Sequence, residues 1–406
     1  MKKKVALVYD RINKWGGAER VLLILHKMFP EAPLYTSVYN PQTAPWAKVF
    51  EIKTSFLQKI PFFRNSHEYL APLMPMAFES FNFDEYDLVI SVTSEAAKGI
   101  ITKPKTTHLC YCLTPTRYLW SGEDEYREDK SFKLSKLLRL LKLLKIYDLL
   151  IYYLKFWDKI AAGRPDKYIA ISKTVAERIK RYYGREAEVV YPPITRSSSL
   201  PAGEAGLKAP RPPDLVSTRS RTGRQGGAEG GQGSREKRAE SYFLVVSRLV
   251  AYKRIDLAIK ACAALGLPLK IAGEGNEEKN LKKTAGKTGE IEFLGPVSEE
   301  KLGKLYQNCA AVIFPGEEDF GLVPLEAASY GKPVIAYKGG GVLETVIEGK
   351  TGAFFYPQTV EALIKRLKDF KPDAYDRKDC ENRAAEFYEE RFIRGLEESL
   401  RSVVDL

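Results

Sequence analysis

The chain of 406 residues has few of the residues that mark metal sites or disulfide frameworks. It contains five cysteines and three histidines. Cys110 and Cys112 fall within one strand-like segment, not at a metal-ligand spacing, and the odd cysteine count argues against a disulfide framework. A reducing, cytoplasmic location is the simplest interpretation, and no metal site is expected.

Long apolar runs are also lacking. No run reaches the roughly 18 residues that a membrane-spanning helix requires. The first ten residues are basic and then apolar, as in a signal peptide, but the apolar run ends at Asp10. We therefore interpret this segment as a buried first strand.

Strand-like and helix-like segments alternate along most of the chain, which is typical of parallel α/β layers. A chain of this length is expected to form two domains, because single cores stop growing near ~250–300 residues. The prediction is an α/β fold of two doubly wound, Rossmann-like sheets facing a cleft. Predicted strands lie at 5–9, 88–92, 108–113, 168–172, 189–191, 242–247, 269–272, 291–294, 311–314 and 334–337. Predicted helices lie at 18–28, 173–183, 254–265, 277–285, 299–308, 322–330 and 342–347.

The domain boundaries follow from a break in this pattern. Residues 197–240 are rich in glycine, arginine and serine and offer little to bury, so we expect a disordered linker or insertion. Residues 1–196 then form an N-terminal domain, and residues 241–375 form a C-terminal domain. Residues 376–406 are amphipathic. An arginine-glycine segment that touches RNA or lipid headgroups is a second interpretation of the linker.

The most informative spacing is that of Glu318 and Glu326, which have seven residues between them where a strand passes into a helix. Ligands of open α/β sheets bind at the carboxyl ends of the strands, where two carboxylates suit sugar or ribose hydroxyls. The alternative is that both are ordinary acids of a helix N-terminus. Between them, Phe320, Gly321 and Leu322 would place backbone N–H groups at the helix start.

Cations and glycine turns follow other predicted strands. Arg248 and Lys253 flank a strand-to-helix turn, where a guanidinium and an ammonium suit a diphosphate. Gly273 and Glu274 form the next such turn. Gly16 and Gly17 precede the first helix, where backbone could approach phosphates or acceptor. An ordinary loop before a helix explains Gly16 and Gly17 equally well.

As an ordered set, these segments resemble retaining glycosyltransferases of the GT-B fold with the E-x7-E motif. The similarity is nearest to mannosyltransferase-like enzymes of surface polysaccharide assembly. The matching residues are Gly16–Arg20, Arg248, Lys253, Gly273–Gly275, Phe293–Gly295, Glu318, Glu326, Gly339–Gly341, Glu344, Gly349 and Gly352, with Leu73–Pro75, Tyr86–Ser91 and Thr114–Trp120 for the subgroup.

The resemblance implies transfer of a hexose, expected to be mannose from GDP-mannose, to a lipid-linked or polysaccharide acceptor in α-linkage. It implies catalytic roles for Arg248, Lys253 and Glu318, the last on donor-sugar hydroxyls, and a ribose contact for Glu326. It also implies that the N-terminal domain faces the acceptor, that the C-terminal domain binds the nucleotide-sugar, and that residues 376–406 form a C-terminal helix crossing back to the N-terminal domain. No metal cofactor and no enzymic nucleophile are implied. The base and sugar of the donor stay open, because the loops that would read them have no unique spacing.

One departure from the family pattern bears on activity. Relatives carry a histidine just before the Thr-Pro-x-Arg-Tyr segment, where this chain has Leu113. Leucine can supply neither a hydrogen bond nor a charge to the transferring sugar. Slower transfer is one consequence, and a non-catalytic sugar-nucleotide-binding scaffold of a polysaccharide assembly complex is the alternative function. The histidines His26, His67 and His108 are predicted to be structural.

The formal net charge is +12. No nucleic-acid-binding motif accompanies it, so no nucleic-acid partner is expected. Residues 132–157 combine leucine and tyrosine with six cations and one acid, and part of this segment has an apolar arc opposite cations at ~100° per residue. A helix on an anionic membrane and an ordinary helix packed on the N-terminal domain are weighed evenly. The expected location is cytoplasmic, with peripheral attachment to the membrane's inner face.

Overall fold

The computed structural model describes residues 3–60, 71–121, 146–194, 242–286 and 289–403. The predicted linker, 197–240, lies outside these residues. So do residues 132–145 of the predicted amphipathic segment and His67.

The N-terminal sheet has seven parallel strands in the order β3-β2-β1-β4-β5-β6-β7. Buried β1 lies inside the sheet between β2 and β4, with Leu7 opposite Leu34 of β2 and Ile90 of β4. Parallel neighbours need crossover connections, and helices supply them. The strands are β1 Val5–Tyr9, β2 Leu34–Thr36, β3 Ile52–Thr54, β4 Leu88–Thr93, β5 Thr107–Cys112, β6 Lys167–Ala170 and β7 Glu188–Val189, and the helices are α1 Gly17–Met28, α2 Met74–Glu79, α3 Ile146–Ala161 and α4 Lys173–Tyr183.

The C-terminal sheet has six parallel strands in the order β10-β9-β8-β11-β12-β13. Four of its strands, β8, β11, β12 and β13, are apolar and mostly buried, as in doubly wound sheets, whereas the edge strand β10 is partly exposed. The strands are β8 Tyr242–Val246, β9 Leu269–Ala272, β10 Ile291–Gly295, β11 Cys309–Phe314, β12 Val334–Tyr337 and β13 Gly352–Phe355, and the helices are α5 Ile255–Leu265, α6 Glu278–Ala285, α7 Glu299–Asn308, α8 Leu322–Ser329 and α9 Val360–Asp369. The predicted α/β class with two parallel sheets is confirmed.

The final helices are α10 (Arg377–Ala385) and α11 (Glu389–Arg401). Phe392, Leu396 and Leu400 recur every four residues, so they share one face of α11. That face is buried in the same core cluster as Tyr111 of β5. The last helix thus returns from the second sheet to pack on the first.

One predicted helix is wrong in type and length. In place of a helix over 342–347 there is a single 3₁₀ turn, Gly341–Glu344. Its start is held by Gly341 N–H donating to the Glu318 carbonyl at 2.8 Å. Beyond it, Ile347 N–H donates to Thr351 Oγ1 at 2.8 Å, so the backbone donor that would extend a helix is already taken.

Candidate active site

A cleft of about 840 Å³ lies between the two sheets and is lined by residues of both. The loops that follow β1, β4 and β5 contribute on one side, and those that follow β8 and β11 on the other, so the cleft opens at the carboxyl ends of the strands, where ligands of such sheets bind. Of the predicted site residues, those lining the cleft are Gly16, Gly17, Arg248, Lys253, Glu318, Phe320, Gly321, Leu322 and Glu326.

Lys253 and Glu318 form an ion pair at the cleft wall. Lys253 ends a 3₁₀ turn after β8, and Arg254 closes this turn in a left-handed conformation (φ 51°). Glu318 lies in the loop after β11. This loop approaches the 3₁₀ turn of Lys253 so closely that a Cβ at Gly316 would lie 2.9 Å from the Lys253 Cα. The Lys253 side chain is only 11% exposed. The ammonium is therefore held at one position facing the cleft.

Arg248 donates from Nη2 to the Tyr252 hydroxyl at 2.8 Å. Among the described residues no carboxylate lies within ion-pairing distance of it. Lys14, from the loop after β1, also lines the cleft without a described acid partner. Burial lowers the pKa of Lys14, and the positive charges of Arg248 and Arg11 lower it further. The two sides of the cleft thus present cations to each other, an arrangement that a multiply charged anion would stabilise.

Glu326 joins the two sides of the cleft. Arg20 of α1 donates to one carboxylate oxygen at 2.6 Å, and the Tyr306 hydroxyl of α7 donates to the other at 2.9 Å. Arg20 also lies 3.9 Å from Glu299. The Glu326 carboxylate raises the pKa of Arg20. A carboxylate oxygen can accept more than one hydrogen bond, so these contacts fix Glu326 while leaving it acceptor capacity.

Gly17, the first residue of α1, allows the two domains to approach closely. Gly17 begins α1 and Gly16 is its N-cap residue. A Cβ at Gly17 would collide with the Leu322 side chain from the opposite domain, and a Cβ at Gly16 would lie 3.1 Å from Glu19 Oε2. A larger residue at Gly17 would require either the Leu322 side chain or the α1 turn to shift.

Gly273 and Glu274 are not among the residues lining the cleft. Gly273 has φ 130°, and a Cβ there would overlap the Ser247 carbonyl. The Glu274 carbonyl accepts from Leu249 N–H at 2.8 Å. This turn therefore packs directly against the loop that carries Arg248, and within the described structure it positions that loop without facing the cavity.

The loop before α8 is fixed to the N-terminal domain. Ser172 Oγ donates to the Asp319 carbonyl at 2.6 Å, and Arg178 pairs with the Asp319 carboxylate. Phe320 stacks on Tyr191 with ring centroids 5.6 Å apart. Gly321, at φ 100°, is the N-cap of α8. The N–H groups of the first turn of α8 thus start at the cleft.

Several cleft residues were missed by sequence reasoning. They include Asp10, Arg11, Lys14 and Glu95, while Arg117 and Tyr118 belong to the Thr114–Trp120 segment, which was matched to the family without a role for either side chain. Asp10 accepts from Ser94 N–H at 2.7 Å and Ala97 N–H at 2.9 Å, and so shapes the loop after β4. The position of Lys14 two residues before the Gly16-Gly17 turn was the available signal. The others are brought together only by the sheet.

Leu113 also lines the cleft. It is partly buried, follows β5, and donates its N–H to the Thr93 carbonyl at 2.8 Å. The described histidines lie elsewhere. His108 is fully buried beside the Ser91 hydroxyl, at 2.9 Å, and burial lowers its pKa to about 3. His26 packs against the Phe50 ring.

The described residues contain no cluster of three or more His, Cys, Asp or Glu that could bind a metal ion. Their five cysteines are buried and unbridged. None of their helices combines the length and apolarity needed to span a bilayer.

Part of the chain is similar to a known protein family. Residues 232–387 match the family model of glycosyl transferases group 1. Among curated relatives, alpha-1,3/1,6-mannosyltransferase ALG2 of Dictyostelium discoideum is 44% identical over 82 residues, 20% of either chain. D-rhamnosyltransferase WbpZ of Pseudomonas aeruginosa is 32% identical over 140 residues, 33% of this chain and 37% of that protein. The matched part thus spans well under half the length of these relatives.

The likeness to solved structures extends over almost the whole chain. HepE from Anabaena, solved in complex with UDP-glucose, has a TM-score of 0.65 at 18% identity and covers 99% of this chain and 100% of its own. At that identity the likeness concerns the fold. It confirms the GT-B arrangement of two Rossmann-like domains facing a cleft.

Proposed function

We propose that this protein is a glycosyltransferase that uses a nucleotide-sugar donor. The observation that carries the proposal is the ion pair of Lys253 with Glu318 beside Arg248, at the strand ends of a GT-B cleft. The match of residues 232–387 to glycosyl transferases group 1 covers these three residues. The UDP-glucose bound to the similarly folded HepE supports a nucleotide-sugar as donor class.

The proposed chemistry divides the donor among the cleft residues. Arg248 and Lys253 contact the diphosphate, whose negative charge grows as the sugar leaves and is stabilised by cations already in place. Glu318 accepts hydrogen bonds from the donor-sugar hydroxyls. Glu326 accepts from the ribose. The backbone of Gly16, Gly17, Gly321 and Leu322 approaches the phosphates or the acceptor, and Phe320 helps shape the pocket.

The proposed stereochemistry is retention with an α-linked product. The bond from the anomeric carbon to the phosphate oxygen breaks, and the bond to the acceptor oxygen forms on the same face. The departing phosphate takes the acceptor's proton, so the step requires neither an enzymic nucleophile nor a metal ion. The Lys253 ammonium, held by Glu318, would stabilise the phosphate through this exchange.

For the substrates, we propose a hexose, mannose from GDP-mannose, and a lipid-linked or polysaccharide acceptor on the cytoplasmic side of a membrane. The mannosyl choice is supported by the similarity to ALG2, while the similarity to a rhamnosyltransferase makes D-rhamnose the competing sugar. A thermal-shift screen across GDP-, UDP- and ADP-sugars, followed by transfer assays with lipid-linked acceptors, tests both. Failure of every common donor to raise the melting temperature, together with no transfer, would overturn the proposal.

A specific observation favours a second candidate, a non-catalytic nucleotide-sugar-binding scaffold of a polysaccharide assembly complex. Leu113 presents an apolar side chain to the cleft where the resembled family has an imidazole. Comparing wild type with Leu113→His separates the two functions. Transfer by the wild type supports the enzyme, whereas donor binding with no transfer in either protein supports the scaffold.

A further inference from the structure

Helix α3 (Ile146–Ala161) has apolar side chains on two opposite faces. Its inner face carries Ile151, Leu154, Trp157 and Ala161, all buried. Its outer face carries five large apolar side chains, which at ~100° per residue share an arc of about 100°. Their exposed fractions are Leu149 68%, Tyr152 70%, Tyr153 43%, Phe156 60% and Ile160 50%.

The inner face of α3 is firmly attached. Trp157 donates to Glu79 of α2 at 2.7 Å. Asp158 is 1% exposed and accepts from Thr116, Trp120 and Tyr183, each at 2.8 Å. The outer face is therefore not the side of a loosely packed helix. It is a fixed surface that no described residue covers.

Five neighbouring apolar side chains on one exposed helix face form a larger patch than scattered surface residues make. Exposed apolar side chains of this kind mark interaction sites or membrane contacts. We infer that the outer face of α3 docks on an anionic lipid surface, with the helix lying in the plane of the headgroups.

The positive charge near this face favours an anionic lipid surface over a second copy of the chain. Lys155, Lys159 and the exposed acid Asp148 lie on α3 beside the apolar arc. The sequence from Lys130 to Lys145 that leads into the helix adds six cations and no acid. Tyrosine, with an apolar ring and a polar tip, suits the headgroup level. A second copy would bring another chain of net charge +12 against this face. One helix face is also small beside the ~800 Å² per partner of a stable interface.

The position of α3 relates this surface to the cleft. Leu150, Ile151 and Leu154, on the inner side of the same helix, line the cleft. A lipid surface on the outer face would therefore lie one helix diameter, about 10 Å, from the cavity. This link to acceptor delivery rests on the proposed transfer function, whereas docking itself does not.

Vesicle co-sedimentation of the full chain tests the docking. We expect binding to phosphatidylcholine vesicles that contain about a third phosphatidylglycerol, and weaker binding to phosphatidylcholine alone or at high salt. The variant Leu149→Ser/Phe156→Ser should bind the anionic vesicles at least about tenfold more weakly. The matched control is Val49→Ser/Ile347→Ser, which removes two exposed apolar side chains elsewhere. It should bind like the wild type, and all three proteins should keep the same melting temperature.

Three results would overturn the inference. The wild type does not bind anionic vesicles, or both double variants lose binding equally. Alternatively, size-exclusion chromatography without lipid shows a dimer that only Leu149→Ser/Phe156→Ser dissociates, which assigns the face to a second copy. The assay uses neither donor nor acceptor, so its outcome is separable from failure of the proposed transfer reaction.

Discussion

Replacing Lys253 with methionine should weaken binding of the nucleoside diphosphate and of the nucleotide-sugar by similar factors. The Lys253 ammonium pairs with Glu318, and its side chain is 11% exposed, so its contact to a phosphate would be a charge-assisted hydrogen bond in a partly dry site. Such a bond contributes about 1.5–3 kcal/mol, equivalent to about 10- to 150-fold in Kd. The Glu318 carboxylate, left without its cation, would add repulsion toward the diphosphate.

Glu318→Gln should behave differently. If Glu318 accepts hydrogen bonds from sugar hydroxyls, the amide substitution weakens nucleotide-sugar binding but leaves nucleoside diphosphate binding equal or tighter, because Lys253 is released from its ion pair. Isothermal titration calorimetry with both ligands measures the two effects. Lys260→Met, which removes a half-exposed lysine of α5, is the control and should change neither affinity. An equal loss of affinity for the nucleoside diphosphate and the nucleotide-sugar in Glu318→Gln would refute the assignment of Glu318 to the sugar.

Three further predictions concern cations that sequence reasoning gave no role. Lys14→Gln should weaken nucleoside diphosphate binding at neutral pH. Because the pKa of Lys14 is lowered, its charge is present below that pKa and lost above it. Wild-type affinity should therefore fall with rising alkaline pH, a dependence that titrations of Lys14→Gln should lack. Arg20→Met should destabilise the protein by about 1.5–3 kcal/mol in urea unfolding, because Glu326 loses a charge-assisted hydrogen bond between domains; an unchanged midpoint would contradict this. Lys98→Met should lower the free energy of unfolding by about 3–5 kcal/mol, because it leaves the buried Asp158 carboxylate without its cation. An unchanged free energy of unfolding would show that the hydroxyl and indole donors to Asp158 are sufficient.

Much of the fold could be predicted from the sequence because most strands are apolar runs of four to six residues. β1, β9 and β12 lie at their predicted bounds. Strands β2 and β3 were missed since each has three residues, too few to show a period. β13 was missed because it begins at Gly352, which strand propensities disfavour.

The candidate site was predictable only where its residues follow one another in the sequence. Glu318 and Glu326 flank one turn, and Arg248 and Lys253 flank another, so their approach to the cleft follows from strand-end geometry. The pairing of Glu326 with Arg20 spans 306 positions, and no local pattern encodes it. Gly273 was singled out for a ligand, yet its close approach is to the Ser247 carbonyl.

The loops that would hold the donor also hold the two domains together. Glu326 bonds Arg20 across the cleft, and the Asp319 carbonyl accepts from Ser172. Glu344, beside the same loop, accepts from the first two N–H groups of α4, at 2.8 and 3.1 Å, as an acid at a helix N-terminus does.

A ligand in this cleft therefore cannot be independent of domain position. A ribose that hydrogen-bonds to Glu326 changes a contact that holds one domain against the other. A diphosphate that reorders the loop before α8 does the same. Ligand binding and the contact between the domains are then thermodynamically coupled, so the free energy by which the ligand changes the domain contact equals the free energy by which the domain contact changes ligand binding. Arg20→Met, which loosens the domains without removing any proposed donor contact, should accordingly alter donor affinity. An unchanged Kd in that variant would show that Glu326 binds the ribose with no cost to the domain contact.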